Sequence, residues 1–145
     1  MSMSFKAKIT GEKIVLANIK KMEKKFPREF KKIVTKAVIK GESLAKQRVP
    51  VDTGRLRASI THTISGGVGG RNISFANKRT GSTESVQGIQ APISSGKNKT
   101  VGAFGTNVKY AKKVEENKPY LIPAWQKAIR LFVKLLNKDI KRLKP

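Results

Sequence analysis

The residues with the most chemical promise lie between Arg48 and Ile60, in RVPVDTGRLRASI, where Asp52-Thr53-Gly54 reproduces the tripeptide around the catalytic aspartate of aspartic proteases. Those enzymes bring two carboxylates together so that they share one proton. The context here argues against that chemistry. The triplet follows a helical pattern and Pro50, and bulky Arg55 stands where a small residue normally follows the glycine. Arg48, Arg55 and Arg57 flank Asp52 in the chain and favour its ionised form, whereas sharing a proton requires a raised pKa. A plainer reading has its own mechanism. Aspartate favours turns because its carboxylate can accept an N–H two residues on, and a glycine can adopt positive φ. Asp52, Thr53 and Gly54 are therefore read as a turn motif that aims Leu56 into the core.

Other catalytic patterns fare no better. Glu115 and Glu116 are adjacent, so on a helix they diverge by about 100° and do not converge as an acid–base pair. His62 is the single histidine, which rules out a multi-histidine metal site, and it falls on the apolar face of a strand pattern, where a structural role is expected. GGVGG (66–70) lacks the full dinucleotide fingerprint and lies between strand patterns rather than before a helix. With no cysteine there is no disulfide, thiolate nucleophile or cysteine-based zinc site. The expectation is a chain with no catalytic residue, no metal and no cofactor, and without a small-molecule substrate.

The elements that must carry these residues are legible in part. Helical spacing covers 12–25, through Val15, Leu16, Ile19, Met22 and Phe26. After Pro27, a first-turn residue, Phe30, Ile33, Val34, Ala37, Val38, Gly41, Leu44 and Ala45 form an apolar stripe between lysines, which predicts an amphipathic helix of about twenty residues. Gly41 lies on the stripe and costs helix stability, so a close contact is expected there. Residues 56–64 alternate, with Leu56, Ala58, Ile60, His62 and Ile64 on one side, and read as a strand. Further strands are expected at 5–9, 71–77 and 100–107, the last two pairing. Phe104 is out of phase with Val101 and Ala103 and is placed where a neighbour could reach it. Residues 78–99 are polar and aperiodic and read as a long loop. A short helix follows at 108–117, then a long one from Pro123 with a stripe through Trp125, Ala128, Ile129, Phe132, Leu135, Leu136, Ile140 and Leu143. Tyr110 and Trp125 are read as core anchors between that helix and the sheet. The sum is one α+β domain over 1–145: a small antiparallel sheet of three to four strands against two amphipathic helices, with a long polar loop.

Charge is the strongest compositional feature. Thirty-two Lys and Arg face nine acids, a net of +23 distributed along the whole chain. Such a surface attracts polyanions and acidic protein faces. No run approaches the ~20 apolar residues of a membrane span, and the N-terminal residues show no apolar stretch of signal-peptide length, so a soluble protein, intracellular at the time of synthesis, is expected.

Two blocks resemble a known family. LAKQRVPVDTGRLRASI (44–60) and GTNVKYAKKVEENKPYLIPAW (105–125) are similar, in content, order and spacing, to blocks of the head–tail connector proteins of tailed phages and prophages. The resemblance covers most of the chain outside 65–99. It departs at Glu116-Asn117-Lys118, where the family continues with an aromatic or apolar residue and Gly-Thr. It implies a structural virion protein of the neck or tail end, acting in tail completion or head–tail joining. It further implies a homo-oligomeric ring, six-fold to match tail symmetry, around the channel that DNA traverses, with head-completion and tail proteins as neighbours. On this reading Arg55, Arg57, Arg71, Lys78 and Arg79 face the next subunit or DNA. The competing reading is a basic nucleic-acid-binding module. The charge favours it; the dispersal of the basic residues and the small number of aromatics, nine in 145 residues, count against it.

Overall fold

A computed structural model describes residues 17, 19–21, 24–64, 70–90 and 100–143. The expected strand at 5–9 lies outside them. Of the helix expected at 12–25, residues 17, 19–21 and 24–25 are helical and the remainder is outside the described residues. The architecture is α+β, with two long helices and two separate two-stranded antiparallel sheets.

Helix α1 (Pro27–Arg48) starts with Pro27 in its first turn, where no N–H is needed, and ends at Val49, which turns extended (φ −63°, ψ 133°) ahead of Pro50. It buries Phe30, Ile33, Val34, Ala37, Val38, Gly41 and Ala45 on one face. Helix α4 (Leu121–Leu143) packs alongside it. Phe30, Ile33, Val34 and Leu136 make one core cluster, flanked by Phe26, Phe132, Leu135 and Ile140. Phe30 and Phe132 meet edge to face at 6.0 Å between centroids, a favoured aromatic geometry.

The second cluster lies where α1 ends. Ala45, Val49, Leu56, Ile60, Val86, Val108, Ala111, Tyr120, Leu121 and Ala124 gather there from six segments. Leu56 and Ile60 reach it from helix α2 (Arg55–Ser59) and the residue after it, which corrects the expected strand over 56–64. Leu56, Ser59 and Ile60 are all buried, the i, i+3, i+4 spacing of a helix. The chain becomes a strand only at β1 (Thr61–Ile64), with Thr63 rather than His62 as its buried residue.

β1 pairs with β4 (Gly102–Gly105), and β2 (Asn72–Ala76) with β3 (Thr83–Gln87), in register Ile73–Val86 and Phe75–Glu84. Two expectations are thereby corrected. The segment 71–77 pairs with β3 rather than with 100–107, and the 78–99 stretch is interrupted by a strand. β3 escapes sequence reading because Val86 is its one buried side chain. Side chains join the two sheets: Thr61 Oγ1 accepts from Ile89 N–H at 2.9 Å, and Asn107 Nδ2 donates to Gly88 O at 3.0 Å.

β4 runs under α1. Val34 and Val38 reach Gly102, and the Phe104 ring fills the space over Gly41. Phe104 therefore packs inward, against the expectation that a neighbour meets it. Its other side tilts onto Trp125, 5.7 Å between centroids. Trp125 is half-buried, and its indole N–H has no partner among the described residues. Tyr110 is 45% exposed and is not a core anchor; it precedes helix α3 (Ala111–Asn117) and points outward. The fully buried tyrosine is Tyr120.

A candidate interaction surface around the Asp-Thr-Gly turn

The turn between α1 and α2 is built by backbone demands. Gly54 has φ +95°, a left-handed conformation open to glycine, and the following Arg55 begins α2. Thr53 supplies the local side-chain bond: its Oγ1 accepts from Arg55 N–H at 3.2 Å. Asp52 does not make the expected bond two residues on. Its carboxylate receives Arg79 Nε–H at 2.7 Å, an ion pair in which both side chains are about two-thirds exposed, at 67% and 69%. That is the reverse of a protease carboxylate, which must be sequestered with a second acid.

Arg79 comes from the connection between β2 and β3. Asn77, buried at its start, accepts from Arg79 N–H at 2.9 Å and Thr80 N–H at 3.3 Å, and Gly81 completes the turn at φ +72°. Asn77 Nδ2 in turn donates to Glu84 at 3.0 Å. Lys78 N–H donates to Thr53 O at 2.9 Å. A backbone bond and an ion pair thus fix the hairpin tip to the Asp-Thr-Gly turn.

Of the five basic residues singled out in the sequence, Arg55, Arg57, Arg71, Lys78 and Arg79 are all exposed. The structure brings Lys78 and Arg79 to the turn that carries Arg55. Arg57 is on α2, and Arg71 precedes β2 at the opposite end of the hairpin from Arg79. Arg55, Val86, Gln87, Val108, Lys109 and Tyr110 line a shallow cleft of about 390 Å³. Partial burial raises the Tyr110 phenol pKa; the Arg55 charge opposes this and Asp52 adds to it.

Two further ionic arrangements were not legible from the sequence. Glu42 on α1 bonds Lys46 Nζ at 2.6 Å and His62 Nδ1 on β1, tying helix to sheet. Burial raises the Glu42 pKa, but the hydrogen bonds and charges of Lys46 and His62 outweigh it and hold the carboxyl below its ordinary value. A depressed carboxyl contributes stability above its unfolded pKa and loses it as pH falls through the folded one. Glu42→Gln should therefore flatten the acid-side loss of stability, read as urea midpoints from neutral pH down through the carboxyl range. Equal slopes in both proteins would remove Glu42 from the account.

The other is Glu115, 4% exposed. Its Oε2 accepts from Tyr120 N–H at 2.9 Å and Leu121 N–H at 2.8 Å, and its Oε1 from Ile122 N–H at 2.9 Å. Pro123 has no N–H to offer, so this carboxylate serves the donors at the start of α4 and sits at the positive end of its dipole. The divergence of Glu115 from Glu116 was the signal available: one points in and the other, exposed, points out.

Among the described residues no group of three or more His, Cys, Asp or Glu could hold a metal ion, and no helix is long and apolar enough to cross a membrane. The fold and this surface define a small α+β domain that presents basic side chains from a rigid turn and hairpin. A family profile described as "Bacteriophage HK97-gp10, putative tail-component" matches residues 14–116. The chain belongs to this HK97-gp10-like family, a phage tail-component family, which gives it a structural role. Helix α4 lies beyond the matched range. No curated protein and no solved structure matches the chain.

Proposed function

We propose that the protein completes the tail or joins it to the head as a homo-oligomeric ring of six copies, without catalysis or cofactor. The observation that carries this is the fixed, exposed basic surface of a tail-component family member: Arg55, Arg57, Arg71, Lys78 and Arg79 stand outward on elements pinned to one another. Their charge meets acidic faces of neighbouring head-completion and tail proteins, or DNA in the channel, and speeds encounter.

The test joins particle mass in moderate salt with negative-stain images and with virion yield. Rings are expected from the purified protein or on its tail partner. Reversing Arg55, Arg57, Arg71 and Lys78 to Glu should lower virion yield at least tenfold while the monomer keeps its circular dichroism and melting temperature. Normal yield sinks the proposal. A monomer that instead binds duplex DNA tightly, with affinity falling steeply as salt rises, supports the nucleic-acid module that the +23 charge also favours.

A further inference from the structure

Two copies of a chain carrying +23 repel each other, so contact between copies belongs where the surface lacks cations. The outer face of the β2–β3 hairpin is such a place. Its side chains are Asn72, Ser74, Ala76, Thr83, Ser85 and Gln87, all exposed, none charged and none large. The opposite face carries Ile73, Phe75 and Val86 into the core. Natural sheets usually guard an exposed strand edge with lysine, proline, a bulge or an inward-pointing charge; β3 has no lysine or proline, and its one charged residue, Glu84, lies on the inner face and accepts from Asn77 Nδ2.

The backbone is also available. Asn77 N–H donates to Ser82 O and Gly88 N–H to Arg71 O, so the bonded pairs of the ladder include 73 with 86 and 75 with 84. Thr83 and Ser85 are then the residues whose N–H and C=O point away from β2, on the edge of β3. The Asp-Thr-Gly turn lies along the other edge, at Ala76, whose O is 3.5 Å from the position of a Cβ on Gly54. The hairpin is held to the body by the Lys78–Thr53 bond and the Asp52–Arg79 pair, so little order is lost when a strand adds to it.

We infer that the β2–β3 hairpin is the contact between copies of this chain, with its uncharged face and the β3 edge meeting a second copy. The inference rests on the oligomeric reading above and names its interface.

Two variants leave the ladder to β2 intact. Ser85→Pro removes an outward N–H, and Ser74→Lys puts a cation on the outer face. Each should weaken self-association about tenfold or more by sedimentation equilibrium, with the monomer's circular dichroism unchanged. A Ser85→Ala control should associate normally. Raising salt toward about 1 M, where the Debye length is about 3 Å, should tighten self-association, the reverse of its effect on DNA binding. Rings of wild-type stability in both variants would overturn the hairpin interface and leave the ring itself standing. A wild type that stays monomeric at every salt and concentration would overturn the inference, while the virion-yield assay still decides the function.

Discussion

Replacing Glu115 by alanine is expected to cost about 3 kcal/mol of folding stability, with a lower urea midpoint and an unchanged m value. The carboxylate accepts three backbone N–H groups at 2.8–2.9 Å, and its own side chain is buried. Removing it leaves the Tyr120 and Leu121 donors stranded in the core, where water does not replace the lost partner, while the part-buried Ile122 N–H is the one of the three that water can reach. Ordinary N-cap losses run to about 1 kcal/mol, but a cap normally serves one donor through a neutral or exposed group. Glu115→Gln should recover only part of the loss, because its amide nitrogen would face N–H groups. Glu116→Ala, on the exposed side of the same helix, should move the midpoint by less than about 0.5 kcal/mol. Equal effects at 115 and 116 would refute this account of the corner.

Gly41→Ala is the second large effect, and its sign depends on one other residue. A Cβ at 41 would stand 2.6 Å from Phe104 Cζ and 2.8 Å from Cδ1. The ring cannot simply retreat, because Trp125 is tilted against it at 5.7 Å. Overpacking of this kind costs about 1–3 kcal/mol, against the roughly 1 kcal/mol that alanine gains over glycine in a helix. The net expectation is a loss of up to about 2 kcal/mol. In a Phe104→Leu background the clash is relieved, and Gly41→Ala should become neutral or stabilising by up to about 1 kcal/mol. The double-mutant cycle measures the coupling, and additivity of the two changes would contradict the contact.

The long helices were legible because their stripes persist. Seven buried positions of α1 recur with one period over about four turns, and no strand pattern imitates that for so long. α2 is too short for such discrimination. Leu56, Ala58 and Ile60 alternate as well as Leu56, Ser59 and Ile60 step helically, and only burial of Ser59 against Thr106, 2.5 Å away, separates the two. The turn at Gly54 could be read locally, since positive φ is a property of that residue. The partner of Asp52 could not, because Arg79 reaches it only after the hairpin has folded back. Tyr110 reads as an anchor while Tyr120, which carries no signal of its own, is the one buried, for a related reason. Both sit at helix starts, and which one is swallowed depends on how Glu115 folds α3 onto α4.

The pairing of β1 with β4 sets the whole β2–β3 hairpin between two strands that are already neighbours. Their alignment is decided by α1 pressing on Gly102 and Phe104, not by the length of what intervenes. Closing a longer excursion costs only about 0.6 kcal/mol per doubling of its length. Natural selection can therefore rewrite this excursion on its outer face and at its flanks, while Ile73, Phe75 and Val86 stay committed to the core. Divergence among family members should concentrate there.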